Sequence, residues 1–475
     1  MSILDLSVEL FLEIAGHLDS DDYVAARATC TSLASAVDPS FFGTLILPTN
    51  RLTAEMLAAI GQQGSPWSMH TRTLLVAPGR RNLPQPREHS DEGGVVEEEE
   101  RVEDKREELL VAALTRLARV SVVRFKVDNN DPGWLLGAVF SAFQYLPLRE
   151  LELKIEHRQI LLPPFPNSDL QVLKVHGPIF YRAILLRHGS GSLEEEDPAV
   201  PPLVSQIAAI VARNPELQEL HVFNDEHWDD VWRTLSRGPI RLRSLATNRI
   251  NKLALEYLGA YSGLERLRIV GHDMGNIAAN DRYATIFFEE VLSKHAATLR
   301  ELRCLPAYEC RWCFGRHNEP VLRDMTALRA LEMAVNSAEM HGECEETPIP
   351  LFFQLASTLP SLTTFAILTS NRDALRRVRC GNSRRQHRES MREAGERVAD
   401  EYLLASGLAD RIRKYSGRGA YGASDAPAYA SEWDSQVASG PTRLRPTPAV
   451  SRFSKGGFRA YLPVIWAGEV VRSGL

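Results

Sequence analysis

One phrase, Leu-x-x-Leu-x-apolar, returns again and again through the middle of the chain and limits what the chain can fold into. It reads "LRELEL" at 148–153, "LQVLKV" at 170–175, "LQELHV" at 217–222, "LERLRI" at 264–269 and "LRALEM" at 328–333. Weaker copies are "LRSLAT", "LRELRC" and "LTTFAI". The central anchors Leu151, Leu173, Leu220, Leu245, Leu267, Leu302, Leu331 and Phe365 are separated by 22, 47, 25, 22, 35, 29 and 34 residues. A fixed phrase at a period of roughly 20–29 residues marks leucine-rich repeats, and the longer gaps require insertions. The gap of 47 holds "GSGSLEEEDPAVPP", a loop composition, so 186–202 is read as an insert.

Alternation inside the phrase predicts a strand, because successive side chains point to opposite faces. Apolar runs with helical spacing lie between the phrases: "PGWLLGAVFSAFQYL", "PLVSQIAAIVARNP" and "YATIFFEEVLSKHA". "TLIL", "RTLLVA" and "VVRFKV" add earlier strands, and "LTAEMLAAI" adds a helix. No strand-plus-helix unit buries its apolar side alone, so the units must stack. The expected fold class is α/β: a leucine-rich-repeat-like solenoid over 48–370, with a curved parallel sheet inside and helices outside.

On such an array, recognition falls to the strand positions that alternate with the anchors. These are Glu150, Glu152 and Lys154; Val172, Lys174 and His176; Glu219, His221 and Phe223; Arg266, Arg268 and Val270; Glu301 and Arg303; and Glu332. Glu152, Lys174, His176, His221, Phe223, Arg266, Arg268 and Arg303 are the candidate target-binding residues. The row mixes both charge signs with ring side chains. That suits the surface of another protein, whereas a phosphate backbone calls for a uniformly basic stripe.

The first forty residues are of another kind. In "DLSVELFLEIAGHL" (5–18), Leu6, Leu10, Phe11, Ile14, Ala15 and Leu18 share one helical face. Ser7 and Glu9 suit a helix start, since a hydroxyl and a carboxylate meet the free N–H groups there. "DSDD" (19–22) separates this helix from a second apolar series, Tyr23, Val24, Ala26, Arg27, Cys30, Leu33, Ala36 and Val37. "DPSFFGTLIL" then turns into a strand. Three short helices bury little surface by themselves and need a neighbour.

Residues 4–47 resemble an F-box. The family's Leu-Pro-x-Glu opening becomes Leu6-Ser7-Val8-Glu9 here, its Ile…Leu helix becomes Ile14…Leu18, its Asp-Leu-like step becomes Asp22-Tyr23, and its Cys with an aromatic residue soon after becomes Cys30…Leu33. Ser7 stands where Pro is usual and Leu33 where Trp is common. "FFGTLIL" resembles the exit of fungal F-boxes into their repeats. The resemblance implies a three-helix F-box over 1–47 that docks a Skp-type adapter, and through it a cullin-RING ubiquitin ligase. Leu6, Val8, Glu9, Leu10, Ile14, Leu18, Asp22 and Leu33 would carry that contact. The repeats would then hold an unknown protein substrate for ubiquitin-dependent degradation. The alternative is a non-catalytic repeat scaffold whose helices only cap the array.

The charge is uneven. Residues 87–108 hold 11 Asp/Glu against 4 Lys/Arg, without aromatics, and read as a disordered insert entering a helix near Glu107. Residues 371–415 read as a charged helical segment. Residues 416–475, rich in Gly, Ser, Pro and Ala, read as a mostly disordered tail in which "AYLPVIW" is apolar enough to tuck back onto the array. Interleaved carboxylates argue against nucleic acid as the partner of the basic stretch.

Six cysteines in 475 residues do not make a disulfide framework and point to a cytoplasmic or nuclear protein. No apolar run approaches the roughly 20 residues that span a bilayer, so no membrane partner is expected. Cys304, Cys310, Cys313 and His317 in "CLPAYECRWCFGRH" offer zinc-type ligands without a second matching pair. "NDEHWDD" (224–230) reads as a helix start. "DNNDPG" (128–133) lacks the oxygen ligands of a calcium loop, and "GRGAYG" (417–422) has no preceding strand. No cofactor, metal or catalytic residue is expected, and the chain reads as a non-catalytic subunit.

Overall fold

The computed structural model describes residues 10, 13–14, 17, 20–78, 96–128, 131–155, 160–162, 169–177, 201–224, 227–271, 276–336, 347–370, 382–408, 412–414 and 464–470. They fall into two compact units that divide after Glu216.

In the first unit, Leu10, Glu13 and Ile14 are helical and precede α1 (Ser20–Thr29) and α2 (Thr31–Phe41). Then follow β1 (Thr44–Pro48), α3 (Ala54–Gly61), α4 (Pro66–His70), β2 (Thr73–Ala77), α5 (Val96–Thr115), β3 (Val122–Val127), α6 (Gly133–Phe143), β4 (Glu150–Ile155), β5 (Val172–His176) and α7 (Leu203–Arg213). The five strands pair in parallel and in chain order. Their register stacks Leu45, Leu74, Val123, Leu151 and Leu173 in one line. All five are buried. Phe125, on the same face of β3, packs edge-on against Phe140 and Phe143 of α6 at 5.6 and 6.4 Å. The anchor face is therefore the helix-covered face.

The second unit runs β6 (Glu219–Phe223), α8 (Asp229–Arg237), β7 (Ser244–Thr247), α9 (Lys252–Gly259), β8 (Arg266–Val270), α10 (Ile277–Ile286), β9 (Glu301–Leu305), α11 (Glu319–Arg323), β10 (Ala330–Val335), α12 (Pro348–Thr358), β11 (Thr364–Thr369), α13 (Asn382–Ser406), β12 (Ile412–Lys414) and β13 (Val464–Val470). Strands β6 to β11 are parallel. Leu220, Leu245, Leu267, Leu302, Leu331 and Phe365 form a second in-register line, each 0% exposed. One carbonyl per rung accepts two successive N–H groups of the next: Arg243 from Glu265 and Arg266, Glu265 from Arg300 and Glu301, Arg300 from Arg329 and Ala330. The same phrase thus yields the same hydrogen bonds each time, and the expected α/β repeat stack is what each unit contains.

Local chemistry sets the helix starts. Thr53, Asn251 and Asn276 accept from Met56, Ala254 and Ala279 N–H at 3.2, 3.0 and 3.2 Å, satisfying donors that an N-terminal turn leaves open. Prolines open α4 and α12, where no N–H is needed. Asp229 and Asp230 lie in the first turn of α8, and Arg233 pairs with both. Asp131 accepts from Thr49 Oγ1 at 2.7 Å and from Asp128 N–H at 2.8 Å, so its carboxylate ties a loop together.

One segment departs from the expectation drawn from composition, and two others add detail to it. Helix α5 starts at Val96, well before Glu107, and takes in the acidic run. Helix α13 buries Met391, Ala399 and Leu403, and its Tyr402 stacks on Phe353 of α12 at 6.1 Å. One face of this charged helix is thus packed. The "VIW" of "AYLPVIW" opens β13, which pairs antiparallel with β11 as a segment tucked back onto the array, and β12 pairs with β13.

Helix α10 continues through a π turn (Phe287–Val291) and a 3-10 turn (Leu292–His295), with Phe287, Phe288, Val291, Leu292 and His295 all buried. His295 Nδ1 accepts from Leu264 N–H at 3.4 Å, which leaves Nε2 to donate to the Leu258 carbonyl at 3.1 Å. The ring is therefore neutral. Burial is the main cause that lowers its pKa below the usual 6.5, with Lys294 assisting. The unfolded chain takes up this proton more readily than the folded one. The stabilisation is complete above about pH 6.5 and is lost as pH falls toward the folded pKa. Thermal midpoints measured while acidifying from neutral pH should drop more in the native protein than in His295→Gln; equal drops would refute the assignment.

Candidate interaction surfaces

The N-terminal helices are held from their inner side. Arg27 pairs with Asp38 and lays its guanidinium over Phe41 and Phe42, at 4.9 and 4.6 Å from the ring centroids. Phe42 meets Trp67 of α4 edge-on at 4.7 Å, and Val37 is buried. The outer side is open. Leu10 is 47% exposed, Ile14 42% and Val24 51%. Asp22 is exposed near the start of α1, and Leu33 is half-buried on α2. Leu6, Val8, Glu9 and Leu18 lie outside the described residues.

On the strand face away from the helices, register decides which charges meet. In the first unit Arg124, Glu152 and Lys174 are neighbours across β3, β4 and β5. Arg124 lies 3.5 Å from Glu152, Lys174 donates to Glu150 at 2.9 Å, and His176 sits 3.9 Å from Glu152. Glu152 and His176 are themselves buried. In the second unit Arg268 and Arg303 are in-register neighbours, a repulsive pairing at the strand spacing of about 4.8 Å. Each is neutralised sideways: Arg268 by Glu301 and Arg303 by Glu332, both at 2.8 Å. Glu219 pairs with Arg266 and with His221. The side chains of Arg266 and Arg268 remain the most open of this set, at 50% and 38%.

Phe223 differs from the expectation. Alternation places it on the open face, yet it is 1% exposed. Elsewhere on that face Val270 packs against a buried cluster of Leu305, Ala366 and Leu368.

Among the cysteines, Cys304 Sγ donates to the Trp312 carbonyl at 3.3 Å, and His317 Nε2 meets the Arg311 carbonyl at 2.7 Å. Among the described residues no group of three or more His, Cys, Asp or Glu is placed to hold a metal ion. Nor is any described helix long and apolar enough to cross a membrane. A shallow pocket of about 280 Å³ at the strand starts is lined by Glu265, Thr298, Arg300, Arg329 and Ser361, with Arg300 3.4 Å from Glu265.

No protein-family model matches the chain, and no curated protein is similar to it.

Proposed function

We propose that the protein is the substrate-recognition subunit of a cullin-RING ubiquitin ligase. Its N-terminal helices dock a Skp-type adapter, and its strand face holds a target protein. The observation that carries the reading is the outer side of those helices. Leu10, Ile14 and Val24 stand in solvent, while the inner side is anchored through Arg27, Val37 and Phe42. Large exposed apolar side chains gain about 1.5–3 kcal/mol each when a partner fully covers them. The spaced Leu6…Glu9, Ile14…Leu18 and Cys30…Leu33 features name the partner class.

In this reading the chain makes and breaks no bonds. It raises the effective concentration of a target lysine near the conjugating enzyme. The mixed, mutually neutralised charges of the strand face suit a protein surface, whose own charges can exchange into the Arg266–Glu219 and Arg268–Glu301 pairs. The packing of Phe42 on Trp67 favours a second reading, a scaffold in which the helices serve only as a cap.

Capture of a purified Skp-type adapter separates the two. Native protein should retain it, and Leu10→Asp with Ile14→Asp should weaken retention by at least about a hundredfold, since 1.4 kcal/mol is worth a factor of ten. Capture of both forms, or of neither, leaves the cap reading standing.

A further inference from the structure

The turn from Cys310 to Cys313 belongs to neither surface. Cys313 N–H donates to the Cys310 carbonyl at 2.9 Å. This bond between residues three apart closes a β-turn, whose end α-carbons lie within about 7 Å. A disulfide needs about 4.4–6.8 Å between α-carbons, so the backbone already holds the two cysteines near bonding range. Cys310 is half-exposed and Cys313 is buried. One sulfur can meet a small reagent, and the second waits behind it. The Cys313 sulfur also lies 3.5 Å from Ser370 Oγ, just past the end of β11. Cys304 is buried, with its thiol directed at the Trp312 carbonyl.

We infer that Cys310 and Cys313 form a dithiol site oxidised to an intramolecular disulfide by small disulfides of the glutathione class. The Cys310 thiolate attacks one sulfur of oxidised glutathione. The S–S bond breaks, one glutathione leaves as a thiolate and takes up a proton, and Cys310 carries the other as a mixed disulfide. Cys313 then gives up its proton and attacks the Cys310 sulfur. The new S–S bond forms as the second glutathione leaves and is protonated. Two protein thiols are oxidised and one glutathione disulfide is reduced to two thiols. Reactivity follows thiolate character and access. Burial above all, with the neighbouring Cys310 thiol, pushes the Cys313 thiol well up, so it waits protonated and Cys310 reacts first.

The test uses the full chain in glutathione redox buffers, quenched by alkylation and mapped by mass spectrometry. The expected result is loss of two alkylatable thiols, at Cys310 and Cys313, with two hydrogens lost from the peptide that joins them. Cys313→Ser should stop at glutathione bound to Cys310, and Cys310→Ser should leave Cys313 alkylatable. Any of three results in the native protein would overturn the site: both thiols still free, a mixed disulfide on Cys310 that never closes, or a Cys304–Cys313 bond. The native map decides the pairing even where a variant fails to fold. The outcome is independent of adapter binding.

Discussion

Trp312→Ala should lower the stability of the second unit by about 3–5 kcal/mol, the range for removing a large buried aromatic side chain. Trp312 is 0% exposed. Its ring lies 5.1 Å from Phe287 and 6.1 Å from Phe288, and its indole N–H donates to the Asn280 carbonyl at 3.1 Å. One side chain thus fills the space beside the π turn and satisfies a carbonyl of α10. Truncation removes the apolar contact, leaves a cavity and loses one buried hydrogen bond, and these three losses act in the same direction. Whole domains are stable by only about 5–15 kcal/mol, so the variant should unfold at far lower denaturant. Urea titration followed by Trp fluorescence and far-UV circular dichroism measures this. Trp312→Phe keeps much of the packing and should lose less than half as much. A midpoint unchanged in Trp312→Ala would show that the ring is not a keystone of this unit.

Removal of residues 463–475 should convert a well-behaved protein into one that self-associates. Strand β13 pairs along β11, with Phe365 opposite Gly468, Ala366 opposite Ala467 and Ile367 opposite Trp466. Without it, β11 becomes an edge. "TFAILT" has no charge and no proline, and it is rich in β-branched and apolar residues. Its bare N–H and C=O groups are a template for another chain. Light scattering behind size exclusion should show oligomers that grow with concentration in the truncated protein, against a single species in the intact one. A truncated protein that stays as dispersed as the intact one would mean that β13 does not guard this edge.

The repeat stack was legible because its signal is local and redundant. Each anchor from Leu151 to Phe365 sits in its own copy of one phrase, and within each unit register then places them side by side. The strand face was legible as a set of positions but not as an environment. Alternation assigns Phe223 to the open side; it cannot report that the residue is 1% exposed there. Nor does it reveal that Arg268 and Arg303 become neighbours, each needing its own carboxylate.

The apolar run "AYLPVIW" announces a segment that tucks back onto the array, but not its partner, because the pairing of Thr364 with Glu469 joins segments far apart in the chain. Arg27 was grouped with apolar residues by spacing alone. Its role, a cation held over two phenylalanine rings, depends on how α1 meets the end of α2. The acidic composition of 96–108 obscured a helix, because low apolar content argues against any ordered element.

The central claim is that one end of the molecule takes an adapter while the strand face stays free for a second protein. Hydrogen exchange of the full chain, with and without a purified Skp-type adapter, tests it most directly. The account predicts slowed exchange confined to residues 10–33, with the amides of β6 to β11 unchanged. Slowed exchange on the strands instead, or none anywhere at saturating adapter, would contradict it.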